Sequence, residues 1–190
     1  MMVNALGSRK CKQCKQVFAK RMPLQYVCDA KCAIAYASVL ADKNKRLEGV
    51  KMRRETKLAK EKLKNKSDWA KEAQQWVNKY VRLRDKHLGC CSCDKPAGWH
   101  GQWHASHFRT TKAASAIRFN LWNIHKGCSV CNNWLSGNIG DYETKLRIKI
   151  GDKKVDWLKS QNQPAPYSID YLKRLKGIFK KKCALIEKRL

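Results

Sequence analysis

Acidic residues are scarce in this chain, and their scarcity constrains the partner. Against 15 Asp and Glu stand 42 Lys and Arg, a formal charge of +27 over 190 residues. Such an excess excludes an electrically neutral surface. It points to a polyanion, because lysines and arginines release condensed counterions from phosphates. Long apolar runs are also missing. No stretch of 18 apolar residues is available to cross a membrane, and the opening "MMVNALGSRK" lacks the apolar core of a secretion signal. No membrane partner is expected, and the setting is read as intracellular. There, ten cysteines serve as metal ligands more readily than as disulfides. Helix breakers are rare between residues 33 and 88, which hold no proline and one glycine, Gly49, so one long helix or two is expected.

What is present falls into a pattern. Eight cysteines form four close pairs: Cys11 with Cys14, Cys28 with Cys32, Cys90 with Cys93, and Cys128 with Cys131. A C-x2-C turn aims both thiolates to one side, and two such turns complete a tetrahedral Zn2+ site. Four pairs make two sites, and a set of buried free thiols would not predict such regular pairing. Cys91 and Cys183 are left over, and Cys183 lies on a helical apolar stripe that reads as core.

The fold class is read as α+β and mostly helical, in four stretches. Residues 1–36 hold an N-terminal zinc knuckle. Residues 37–88 hold a basic helical arm and then a packed helix. Eleven Lys and Arg lie between Lys43 and Lys66, with sparse apolar residues, so the arm is a solvated helix. From Ser67, read as an N-cap, Trp69, Ala73, Trp76 and Tyr80 recur at helical spacing and mark a packed face. Residues 89–140 hold the chemistry. "WHGQWHASHF" reads as a strand, "RTTKAAS" as a loop, "AIRFN" as the antiparallel mate, and "CSVCNNWLSGN" as a cysteine turn running into a helix. Residues 141–190 are helical, with Ser168 capping a last helix whose Leu172, Leu175, Phe179, Cys183 and Ile186 face inward.

A strand histidine, an intervening asparagine and an asparagine directly after a cysteine pair are the elements of the HNH, or ββα-metal, nuclease motif. "QWHASHFRTT", "RFNLWNIHKGC" and "CNNWLSGN" resemble the phage NinG (Rap) recombination proteins, structure-specific endonucleases of Holliday junctions and D-loops. The resemblance spans most of the chain and is most specific over residues 90–140. Two C-x2-C pairs bracketing the site also resemble the phage junction resolvase endonuclease VII.

The resemblance implies a metal-dependent endonuclease of branched DNA, with two structural Zn2+ and a catalytic Mg2+ or Mn2+, at work in the cytoplasm of a bacterial host. It puts the general base at His107, oriented by a backbone carbonyl of the opposite strand, and a helix metal ligand at Asn132. Asn120 is expected to pin the loop, a role suited to an amide's paired donor and acceptor. Where many HNH sites carry aspartate before the base, this chain has Ser106. The nearest other donor is His104, which a regular strand would place on the opposite face from His107. Either a bulge re-aims His104 as the second ligand, or Ser106 acts through water. His125 is either a metal or phosphate ligand or a structural residue. Arg109 and Lys112 are candidate phosphate clamps, and Asn138 either binds phosphate or caps a helix. On the basic arm, Lys51, Arg53, Arg54 and Lys57 are candidate backbone contacts.

Two symmetric nicks in a four-way junction call for a homodimer, and other phage or host recombination proteins are possible partners. The competing class is a non-catalytic zinc protein that binds DNA or RNA, in which His104 and His107 only pack the zinc module. A plain knuckle has no need of Asn120 and Asn132.

Overall fold

The computed structural model describes residues 7–165 and 167–189. The chain divides between Leu63 and Lys64 into two compact units, so the knuckle and the basic arm fall in one, and the packed helix, the strand hairpin and the C-terminal helices in the other.

In the first unit β1 (Ser8–Lys10) pairs antiparallel with β2 (Val17–Ala19). The Cys11–Cys14 turn lies between them, closed by Lys15 in the left-handed region (φ 66°). Asp29 then caps α1 (Ala30–Lys62), its carboxylate accepting from the Cys32 amide at 2.7 Å. This helix runs 33 residues without one buried side chain. Leu47, Val50, Met52 and Leu58 are each more than half exposed. It has no apolar face to bury, so it stands as the solvated helix its composition suggests.

The second unit is built on α2 (Lys66–Arg84) and α5 (Ile169–Glu187). The cap of α2 is Asn65, not Ser67. Asn65 accepts from the Asp68 amide while Asp68 accepts from the Asn65 amide, a reciprocal box that Ser67, two residues further on, is too late to make. Trp69, Ala73, Val77 and Val81 form its buried stripe, packed on Leu172 and Phe179 of α5. Trp76 and Tyr80 lie at the margin of that core. Ser168 caps α5 through the Tyr171 amide.

Against this pair lies a hairpin of β3 (Trp103–His107) and β4 (Ile124–Cys128). The expected mate, 116–120, is not a strand: Ser115–Ile117 is a single 3-10 turn. Ile117 and Phe119 point into two different cores. Ile117 joins Phe108, Tyr142, Leu146, Val155 and Leu158, whereas Phe119 joins the α2–α5 core. Two anchors for two cores mimic strand alternation in the sequence. All five residues of β4 are buried, His125 and Lys126 among them.

The cysteine turn after β4 leads not into an α-helix but into one π-helical turn, Val130–Trp134. Three left-handed residues follow, Ser136, Gly137 and Asn138, before α3 (Ile139–Ile150) begins. Gly151, at φ 87°, turns the chain into α4 (Asp152–Ser160). No helix among the described residues is long and apolar enough to cross a membrane.

Candidate zinc-supported histidine site

The four sulfurs of Cys11, Cys14, Cys28 and Cys32 lie within 4.8 Å of one another, and so do those of Cys90, Cys93, Cys128 and Cys131. A Zn2+ tetrahedron with bonds of ~2.3 Å has sulfur–sulfur edges of ~3.8 Å. Cys14 and Cys28 stand 3.7 Å apart, and Cys93 and Cys128 3.8 Å. Both clusters therefore fit a tetrahedral zinc ion. In the second cluster, backbone amides of Ser92 and Cys128 donate to the Cys90 sulfur, and the Cys131 amide donates to Cys128. Such donors stabilise thiolate over thiol. A hydrogen bond from Cys91, with those amides, brings the Cys90 pKa down to about 4 against the pull of burial.

This second cluster clamps one end of the hairpin. Trp103 at the start of β3 pairs in register with Cys128 at the end of β4, and the register continues without a bulge to His107 opposite Ile124. Alternation then puts His104 and Ser106 on one face of β3. Both reach Asn132: Ser106 Oγ donates to Asn132 Oδ1 at 2.9 Å, and the Asn132 amide nitrogen stands 3.2 Å from His104 Nδ1. The strand is regular, so no bulge re-aims His104: it and Ser106 lie on the face of β3 opposite His107, both against Asn132.

His107 Nε2 lies 3.0 Å from the Arg118 carbonyl oxygen. A carbonyl only accepts, so Nε2 carries the proton and Nδ1 is left as the basic nitrogen. The carbonyl comes from the 3-10 loop rather than from the opposite strand. Burial pulls the His107 pKa below 6.5, only partly opposed by the Arg118 bond, so the ring is neutral near pH 7. His107 and Asn132 line one open cavity of about 340 Å3, together with Thr110, Thr111, Ser136 and Gly137.

The residue that pins the loop is Asn123, not Asn120. Fully buried, Asn123 accepts from the Arg109 amide at 2.8 Å and donates to the Arg109 and Ile117 carbonyls. Asn120 makes only a local turn, accepting from the Trp122 amide. An asparagine directly before the buried "IHKGC" strand was the available signal.

His125 stands apart from the cavity. Tyr142 donates its hydroxyl to the Ser106 carbonyl and so accepts from His125 Nδ1–H at 3.2 Å. Burial, with Lys149 and Arg84 nearby, lowers the His125 pKa to about 3. The side chain is thus a neutral structural strut for β3, outside the lining of the His107 cavity. Arg84 and Asp85 support β4 from α2: Arg84 donates to the Ile124 carbonyl, and Asp85 accepts from the Lys126 amide.

The candidate clamps separate. Arg109 turns inward, its guanidinium donating to the Lys159 carbonyl and to Asn162 at 2.9 Å, so it ties the loop to the end of α4 instead of presenting its charge. Lys112 is exposed on the loop. Asn138 donates to the Ser92 carbonyl at 2.6 Å and to Asp141 at 2.7 Å, joining the Cys90–Cys93 turn to α3 with an amide that is no longer open to phosphate. Lys51, Arg53, Arg54 and Lys57 are exposed along α1.

A family profile described as "Bacteriophage Lambda NinG protein" matches residues 3–189. The chain is 36% identical over 189 residues to Protein ninG of Escherichia phage lambda, covering 92% of this chain and 91% of that one. It is 37% identical over 182 residues to Protein ninG of Enterobacteria phage H19B, with 89% of each chain covered. Protein ninG of Salmonella phage P22 is 35% identical over 189 residues, with coverages of 92% and 91%. No solved structure matches the fold.

Proposed function

The chain belongs to the phage NinG family, and from that membership and the histidine site we propose that it is a metal-dependent endonuclease of branched DNA, working in recombination in the cytoplasm of the phage's host. The observation that carries the reading is the pairing of a neutral, carbonyl-oriented His107 with Asn132 in one open cavity, across a hairpin and a helical turn. A strand histidine meeting an asparagine just after the second strand supports a core of the ββα-metal type, here with a π-helical turn after the hairpin.

Hydrolysis of a phosphodiester needs a base for water and positive charge for the oxygens that gain electrons. His107 Nδ1 accepts the proton of the attacking water, and the Arg118 carbonyl holds the ring and stabilises the imidazolium that forms. Asn132 and His104 are the residues to hold a divalent ion, which when bound would stabilise charge on the phosphoryl oxygens. Their donors are neutral, an amide and an imidazole; Asn132 lines the cavity with His107, His104 reaches Asn132 from outside that lining, and no carboxylate lines it. Such a set fits Mn2+ or another transition ion better than Mg2+, which prefers carboxylate partners. It also fits an ion whose charge is balanced mainly by substrate phosphate. The strongly basic chain, with the exposed cations of α1, supplies sequence-independent attraction to the backbone.

The test is incubation of the zinc-loaded protein with labelled linear, flapped and four-way DNA, with and without Mg2+ or Mn2+. Metal-dependent nicks confined to branched substrates are expected. Tight binding without cleavage under every metal would return the protein to a zinc-containing binding module.

A further inference from the structure

We propose that Trp134, on the segment beside the His107 cavity, is a branch-sensing residue, stacking its indole on a base left unpaired or splayed at the junction; the inference rests on the nuclease reading above. Trp134 is 81% exposed, and Leu135 beside it 54%. Of the seven tryptophans none of the other six exceeds 42% exposure, and each of those six has a ring or a lysine against its indole. Trp134 alone among the described residues has neither. Leaving so large an apolar ring in water is unfavourable unless something covers it.

The segment that carries it is fixed in place. Its start is anchored in the zinc cluster by Cys131, whose amide donates to the Cys128 sulfur and whose carbonyl accepts from Gly137 at 2.8 Å. Its end is held by the Asn138 amide on the Leu135 carbonyl at 2.7 Å and by the Asn138 side chain on Ser92. Between these anchors the backbone takes two costly forms, a π-helical turn and left-handed, non-glycine Ser136 (φ 50°) and Asn138 (φ 47°). Backbone strain of this kind persists only where surrounding structure imposes it, and it concentrates at binding sites. The ring is therefore displayed by a rigid support.

Its position sets the ligand. Trp134 lies in the chain between Asn132 and Ser136, both of which line the cavity with His107. A strand that sets a phosphate in the cavity therefore passes beside the segment that displays the indole. Intact duplex offers no open base face there, whereas a branch point does. Stacking on such a face is tolerant of sequence, because every base has one. A second copy of this chain is the other possible cover, but two chains of +27 repel each other and DNA attracts them.

The experiment uses zinc-loaded full-length protein, wild type, Trp134→Ala and Trp134→Phe. Anisotropy gives affinity for a four-way junction and a linear duplex of equal length, 2-aminopurine reports stacking at the branch, and cleavage is mapped with Mn2+. Wild type is expected to prefer the junction, to change 2-aminopurine emission, and to cut near the branch. Trp134→Ala should lose roughly tenfold or more of the junction preference, with duplex affinity and two zinc equivalents intact. Trp134→Phe should restore most of it. If wild type cuts branched DNA and Trp134→Ala keeps the same preference, the stacking role is wrong and the nuclease reading stands. If wild type neither cuts nor prefers branches, both fall. A Trp134→Ala protein that changes sedimentation instead would assign the surface to self-association and overturn the proposal.

Discussion

The two cysteine clusters share one ligand chemistry and sit in different surroundings. Cys90, Cys128 and Cys131 are almost fully buried, with Trp99 and Trp103 packed around them. In the N-terminal cluster only Cys11 is buried, and Cys14 is exposed. The hairpin clamped by the second cluster is closed at its other end by two apolar cores. The first unit has a three-residue strand pair and a helix with no buried residue. Zinc bound in the first unit would thus be nearly the whole tertiary constraint, as expected of so small a module. In the second it would fix the position of groups that a hydrophobic core already gathers.

The largest effect that tests this contrast is loss of each metal by itself. Cys14→Ser should release one zinc and unfold the knuckle, while the second unit keeps its cooperative thermal transition. Cys128→Ser should release the other zinc and abolish cleavage by freeing the hairpin end that carries Asn132. Zinc analysis with thermal circular dichroism decides it, and a Cys128→Ser protein with two zincs and full activity would refute the clamp.

Next in size is His107→Ala, expected to lower nicking by ~10²–10⁴-fold with both zincs and junction affinity retained. Burial holds the His107 pKa below 6.5, so the wild-type rate should persist at pH 6.5 and fall only as the pH drops through that lower pKa. A variant that loses one zinc equivalent would make His107 a knuckle ligand.

A smaller effect separates the basic arm from the core. Replacing Lys51, Arg53, Arg54 and Lys57 together with glutamine should cut the salt sensitivity of DNA affinity between 50 and 200 mM by up to about 100-fold, at roughly 0.9 log unit of slope per lost contact. Linear and branched DNA should be affected alike. An unchanged slope would leave α1 as a spacer.

The smallest effect lies behind β4. His125 has a folded pKa near 3, far below 6.5. Below pH 6.5 the unfolded chain takes up a proton that the folded chain refuses, so stability falls as the pH falls. Between pH 6.5 and 5 the loss from this group is about 2 kcal/mol. His125→Asn should flatten that part of the stability profile, measured by denaturant unfolding of the second unit. An equally steep profile would place the acid sensitivity in the cysteine clusters.

The cysteine spacing, the solvated arm, the packed stripe of α2 and the capped α5 were legible because each is local: turn geometry, helical periodicity and capping act within a few residues. Family membership was legible in "QWHASHFRTT" and "CNNWLSGN" for the same reason. The hairpin partner was not. "AIRFN" alternates because Ile117 and Phe119 serve two cores, and "IHKGC" looks polar although it is fully buried. His125 and Lys126 are tolerated inside only because Tyr142, Asp85 and the Trp103 ring meet them there.

The sequence by itself therefore determined the two cysteine clusters, the large positive charge, and the segment that holds the candidate site. Only the tertiary structure decided which groups meet. It assigned the loop pin to Asn123 over Asn120, turned Arg109 and Asn138 inward, made His125 a strut, and set His104 and Ser106 on one amide. Each of these depends on hydrogen bonds between residues 14 to 53 apart in sequence. Local propensity carries no information about such pairs, because burial of a polar side chain is decided by the partner that satisfies it.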